Sequence, residues 1–203
     1  MTTTLRFKVE NLSCERGGRL VFQNLSFEVA ASELLELRGA NGSGKSSLLR
    51  LLAGLNAPVH GKLTLEGCDP TTPLAEQAHY IGHADANKPV LTVGENLKFW
   101  RQFLGGPKNT AALGAFNLAV LADDQTVLLS AGQKRRLALT RLLIAHRPLW
   151  LLDEPTVGLD TASLLMLQNH MGAHLKNGGM IVAATHIALG IKATRQLDLG
   201  KVS

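Results

Sequence analysis

Residues Gly39-Ala40-Asn41-Gly42-Ser43-Gly44-Lys45-Ser46 fit the pattern G-x-x-x-x-G-K-[ST]. An apolar run, Leu34, Leu35 and Leu37, precedes this stretch. Leu48, Leu49, Leu51 and Leu52 follow it at helical spacing. A strand, a glycine-rich turn and a helix are therefore expected in that order. Such a turn suits a chain of phosphates. Glycine lets the backbone turn tightly and bring its N–H groups close to an anion. The positive end of the helix points at the same place. Lys45 adds a full charge, and the Ser46 hydroxyl can take one position on Mg²⁺. Ser47 closes the run as the next helical residue.

The chain has 203 residues, 45% apolar and 18% charged, with a net charge of +5. This suits one globular domain with its own core. No stretch of 18 apolar residues is present to span a membrane. The N-terminal MTTTLRFKVEN lacks an apolar h-region, so no secretory signal is expected. Cys14 and Cys68 have no metal-like spacing and read as plain thiols of a reducing compartment. The basic cluster Lys134-Arg135-Arg136 reads as the wet face of a helix. No aromatic residues interleave with it, so direct nucleic-acid binding is not expected.

Periodicity predicts strands over 5–11, 20–29, 34–38 and 62–66, with a helix over 46–55. From about 90 to 146 the pattern turns helical. Thr92 and Glu95 have the spacing of a capping box, residues 111–121 form a second helix, and a third starts at Ser130 with Leu137, Leu139, Leu142, Leu143 and Ile144 on its apolar side. The remainder alternates as strand 149–152, helix 161–176, strand 180–185 and a short strand near 196–199. Alternation of this kind implies a largely parallel sheet. The expected organisation is one domain over 1–203, with core segments 1–88 and 147–203 and a helical insert of about 89–146.

The buried strand in "LWLLDEP" ends in Asp153, the natural Mg²⁺ partner at a strand tip. Glu154 follows as a candidate general base for water. In "LLSAGQ", Ser130 and Gly132 form a second helix start fit for an anion. Two phosphate-seeking helix ends suggest that each meets a different part of one nucleotide.

These motifs, spread over residues 16 to 186, resemble the nucleotide-binding subunits of the ATP-binding cassette (ABC) family. The resemblance implies an α/β fold: a P-loop nucleotide-hydrolase cassette with a RecA-like core, a small antiparallel β subdomain and a helical insert. It implies ATP and Mg²⁺ as ligands. Gly39 to Ser46 would be the Walker A loop. Leu129-Ser130-Ala131-Gly132-Gln133 would be the signature. Asp153 would end Walker B, with Glu154 as the catalytic carboxylate. Gly158-Leu159-Asp160 stands at the D-loop, and His186 at the switch histidine, which contacts the γ-phosphate in this family. The signature of one subunit completes the ATP site of another, which implies a homodimer when ATP is bound.

Two positions depart from the family pattern. Arg16 stands where many members stack an aromatic ring on adenine. A guanidinium can stack on a base, or it can point into water. His83 stands where the Q-loop glutamine would be. A neutral imidazole offers one donor and one acceptor, as an amide does, or the residue is an ordinary loop histidine.

"CERGGRLVFQNLSFEV", "YIGH", "TVGENLKFW", "LSAGQKRRLALTRL" and "LWLLDEPTVGLD" are together similar to the ATP-binding subunits of bacterial haem-exporter-type cytochrome c maturation systems. That likeness implies a peripheral subunit at the cytoplasmic face of the inner membrane, bound to separate integral membrane subunits. Its hydrolysis would drive release of a haem-loaded chaperone in the periplasm. No C-x-x-C-H is present, and the chain itself is not expected to bind haem. The alternatives are an ABC exporter subunit for a drug, lipid or peptide, and a soluble ABC protein acting on nucleic acid or ribosomes. The second alternative normally carries tandem cassettes or long coiled-coil inserts, and no long heptad segment is present.

Overall fold

A computed structural model describes residues 4–107 and 111–201. The first three residues of the N-terminal stretch MTTTLRFKVEN lie outside the described residues. Two sheets form the frame. Strands β1 (Arg6–Arg16), β2 (Arg19–Ala30) and β4 (His60–Glu66) make a three-stranded antiparallel sheet in the order β2-β1-β4. Strands β3 (Leu34–Arg38), β5 (Ala78–Ile81), β6 (Leu149–Asp153), β7 (Met180–Ala184) and β8 (Arg195–Asp198) make the second sheet. Its order is β5-β6-β7-β3-β8, and every pairing is parallel.

Burial on both faces accounts for the apolar runs in β6 and β7, in which every residue is buried. Alternate side chains serve two cores. Leu35, Leu37, Leu149, Leu151 and Val182 face a core shared with helix α1 (Lys45–Leu52) and the antiparallel sheet. Leu34, Trp150, Leu152, Ile181 and Ala183 face the other, shared with helix α6 (Thr161–Lys176) and the helical segments of the middle third. Among the described residues no helix is long and apolar enough to cross a membrane.

Helix α2 (Leu74–Gln77) is a single turn before β5. Helix α3 (Val93–Leu104) opens with Thr92 as its cap: Thr92 Oγ1 accepts from Glu95 N at 3.1 Å, and Glu95 Oε2 accepts from Thr92 N at 2.9 Å. The expected helix 111–121 is broken. Helix α4 runs only from Ala111 to Ala115, and a 3-10 turn covers Ala119–Leu121. Asn117 between them takes a φ of 53°, and a left-handed residue interrupts the i→i+4 ladder. Helix α5 (Ala131–Leu139) tightens into a 3-10 turn at Thr140–Leu143, shorter than the apolar pattern implied.

Buried polar side chains stitch the middle third together. Asn96 is fully buried: its amide donates to Lys88 O at 2.9 Å and to Thr126 Oγ1 at 2.8 Å, and its carbonyl accepts from Lys88 N at 2.7 Å.

Candidate functional site

The carboxyl ends of β3, β6 and β7 lie side by side, which is where an open parallel sheet places a ligand. A cleft of about 640 Å³ opens there. Asn41, Gly42, Gly44, Lys45, Ser46 and Ser47 line it from the loop after β3 and the first turn of α1. His83, Asp153, Glu154 and His186 line it from the ends of the neighbouring strands. Arg16, at the end of β1, closes one wall.

Local geometry explains the glycines of the loop. Gly44 caps α1 at a φ of 97°, and a Cβ there would stand 2.5 Å from Val21 Cγ1. Any side chain there would have to displace Val21 and would strain that backbone. No side chain caps α1, so its leading N–H groups are left for an anion. Lys45 Nζ donates to Gly39 O at 2.7 Å and to Ala40 O at 2.9 Å. Its ammonium is thus folded back over the loop that it would serve. Gly39, Ala40 and Ser43 shape the turn from behind and do not line the cleft.

Ser46 Oγ donates to Asp153 Oδ1 at 3.1 Å. Burial pushes the Asp153 carboxyl above its ordinary value, and the Ser46 hydrogen bond opposes that shift. A hydroxyl and a carboxylate oxygen converging at this distance fit two positions on Mg²⁺. No cluster of three or more His, Cys, Asp or Glu able to hold a metal occurs among the described residues. The remaining ligands of such an ion would therefore come from phosphate and water, as Mg²⁺ usually requires.

Glu154 turns sharply out of β6 at a φ of 48°. A left-handed non-glycine residue costs on the order of 1–3 kcal/mol, and such strain collects at functional sites. The side chain is held at the tip of β7: Glu154 Oε2 accepts from His186 N at 3.2 Å, and His186 Nε2 lies 3.5 Å from Glu154 Oε1. Glu154 N in turn donates to Ala184 O at 2.8 Å. Thr185 stiffens the turn that carries His186, since its Oγ1 donates to Ile187 O at 2.7 Å.

Arg16 reaches Ser47, with Nη1 3.5 Å from Ser47 Oγ. Val21, Val157 and Ile187 add an apolar rim that sequence reading missed. They come from three separate segments, and nothing in their local pattern joins them.

Ser130, Gly132, Gln133 and Asp160 do not line this cleft. Ser130 caps α5 in a capping box: its Oγ accepts from Gln133 N at 3.2 Å, and Gln133 Oε1 accepts from Ser130 N at 2.7 Å. Asp160 caps α6 by accepting from Ser163 N at 2.7 Å. Gly132 packs against the loop before α6, where a Cβ on it would stand 2.9 Å from Gly158 O.

The expected wet face Lys134-Arg135-Arg136 is corrected at its centre. Arg135 is 4% exposed and donates to backbone carbonyls at the end of β6. Arg136 is half-buried and donates to Phe116 O at 3.0 Å. Charge in a short run does not reveal which face of a helix will meet carbonyls.

A P-loop, a strand-tip carboxylate bonded to the P-loop serine and a carboxylate–histidine pair at one sheet edge define a nucleotide-hydrolysing cassette. The model of the family described as ABC transporter matches residues 22–157, and the chain belongs to that family. Over 191 residues the chain is 54% identical to the cytochrome c biogenesis ATP-binding export protein CcmA of Rhodopseudomonas palustris (strain BisB5). That match covers 93% of this chain and 95% of the relative. Among solved structures, an ATP-binding subunit of an ABC transporter superposes with a TM-score of 0.81 at 26% identity, covering 89% of this chain and 79% of that one. A bacterial Atm1-family ABC exporter with ATP bound gives 0.81 at 25% identity, over 98% of this chain and 38% of that one.

Proposed function

We propose that the chain is the ATP-hydrolysing subunit of a haem-exporter-type complex of cytochrome c maturation, energising release of a haem-loaded chaperone. The observation that carries the reading is the meeting of Lys45, the Ser46–Asp153 pair and the Glu154–His186 pair in one cleft. Its setting is a chain 54% identical to an export protein of cytochrome c biogenesis.

Each group has a task set by its chemistry. The N–H groups of the loop and of the first turn of α1 cradle the β-phosphate. Lys45 exchanges its two loop carbonyls for β- and γ-phosphate oxygens, a stronger charge-assisted contact. Ser46 and Asp153 would hold Mg²⁺, which would supply positive charge against the phosphate oxygens. Glu154 accepts the proton of the attacking water. His186 donates to the γ-phosphate and keeps Glu154 aimed at that water. Arg16 would flank the base, and His83, which also lines the cleft, would serve the water or the metal.

The first turn of α5 does not line the chain's own cleft, which fits Ser130 and Gly132 serving the nucleotide of a second copy. Two chains then enclose two ATP molecules head to tail. We assign core segments 1–88 and 147–203 and an insert of about 89–146 to the single cassette. Membrane attachment belongs to separate integral subunits at the cytoplasmic face. The seat for them is a groove of about 790 Å³ between Leu55, Ala75, Tyr80, Trp100, Phe103 and Leu104. Trp100 and Leu104 pack inward on α3, while Phe103 is 71% exposed at the groove's edge.

The test is a haem stain of membrane and periplasmic fractions from a deletion strain, complemented with wild type or with Lys45→Ala. Loss of c-type haem with b-type cytochromes retained is expected for the deletion and for Lys45→Ala. Normal c-type staining in the deletion strain would leave a cassette serving some other exporter.

A further inference from the structure

Arg135 lies outside the nucleotide cleft, yet its side chain reaches behind it. Nη2 donates to Asp153 O at 3.0 Å and to Glu154 O at 2.7 Å, and Nε to Pro155 O at 3.4 Å. On the other prong, Nη1 donates to Gly82 O and to Asp85 Oδ1, both at 2.9 Å. One guanidinium thus joins three pieces of chain: the end of β6, the loop that carries His83, and α5 itself.

The contacts on β6 fall where the sheet ladder stops. Strand β6 ends at Asp153, and the chain turns into the left-handed region at Glu154. The carbonyls of Asp153 and Glu154 are taken up by Arg135. A buried carbonyl left without a donor is costly, so these bonds hold both peptide planes. The plane of Glu154 determines where its carboxylate points. A planar fork with several fixed donors suits this task, and the single ammonium of lysine does not replace it.

The Asp85 side chain is 28% exposed, on a loop next to His83, which lines the cleft. Helix α5 begins at Ser130 and Gly132, beside the loop at Gly158. A shift of either element pulls on the same guanidinium.

We propose that Arg135 is a positioning residue for hydrolysis, holding the Asp153–Glu154 backbone in its working conformation and tying it to the His83–Asp85 loop and to the first turn of α5. The proposal rests on the ATPase reading above and deepens it.

The experiment compares wild type, Arg135→Lys, Asp85→Asn and the double variant in the membrane complex, with Glu154→Gln as reference. A misplacement of about 1 Å near a reacting group can cost ~10²-fold. Arg135→Lys should therefore lower kcat by about 10- to 100-fold while the ATP dissociation constant keeps its wild-type value. Asp85→Asn should lower kcat less, and should add nothing in the Arg135→Lys background, since both act through one contact. A role limited to stability would lower the melting temperature and leave the kcat/KM split and the coupling untouched. Wild-type kcat in Arg135→Lys overturns the proposal, as does full additivity of the two substitutions. If Arg135→Lys does not fold, Asp85→Asn decides alone, and wild-type kcat there overturns it. If wild type and Glu154→Gln hydrolyse ATP equally, the assignment of Glu154 fails first and the positioning role falls with it.

Discussion

Glu154 and His186, 32 residues apart in sequence, meet at the tips of β6 and β7. The backbone N–H of His186 donates to Glu154 Oε2 at 3.2 Å, and the ring stands 3.5 Å from Oε1. The carboxylate is held at the cleft by a residue that also lines it, so the aim of Glu154 depends on the turn that carries His186.

Glu154→Gln should bind ATP and hydrolyse it slowly, because a carboxamide does not take up the water's proton at neutral pH. General-base catalysis typically contributes ~10²–10⁴-fold, and a loss in that range is expected. The variant should accumulate as an ATP-bound dimer in size-exclusion chromatography. Full turnover would remove Glu154 from the base role.

Ser46→Ala and Asp153→Asn should raise the Mg²⁺ concentration needed for half-maximal hydrolysis. Losing even an outer-shell partner costs ~10–100-fold in metal affinity, so losing either oxygen ligand should cost at least that much. A Mg²⁺ titration at saturating ATP reads the effect. An unchanged midpoint in both variants would place the metal elsewhere.

Arg16→Ala should weaken ATP binding by about 1 kcal/mol, the size of an exposed stacking contact between a cation and a ring. The side chain already lies on the cleft wall, 3.5 Å from Ser47 Oγ. An ATP dissociation constant equal to that of wild type would leave Arg16 as a solvated residue.

Acid should destabilise the fold through two buried imidazoles. His79 is 3% exposed, and burial lowers its pKa to about 3 from the usual 6.5. His174 stacks on Trp150 with centroids 4.0 Å apart, and burial lowers its pKa to about 4. Both are neutral when folded and take up a proton more readily when unfolded. Their contribution is complete above pH 6.5 and is lost as the pH falls towards the folded values. For His79 the loss approaches about 1.4 kcal/mol per pH unit. Melting temperatures at pH 7 and pH 5 should differ more in wild type than in His79→Gln. Equal differences would sink the assignment.

Much of the site was legible because its chemistry is local. The loop from Gly39 to Ser46, the Thr92–Glu95 cap, the Ser130 cap and the Asp153-Glu154 pair each lie within eight residues of chain. Periodicity located β3 and α6 at their observed bounds. It failed at 111–121, where the left-handed Asn117 breaks a pattern that remains apolar on either side. Arg135 was misread because its partners are carbonyls 18 to 53 residues distant, and carbonyls leave no mark in a sequence.

The sequence alone determined the class of chemistry, since phosphate and metal ligands depend on residue type at short spacing. It also determined the largely parallel sheet, since strands that alternate with helices are joined by crossovers and pair in parallel. Tertiary structure decided which motifs share a cleft. It brought Lys45, Asp153, Glu154 and His186 together and left Ser130 and Gly132 out of the cleft's lining. It also turned a charged residue inward, because the bare carbonyls at the end of a strand attract a buried guanidinium more strongly than water rewards an exposed one.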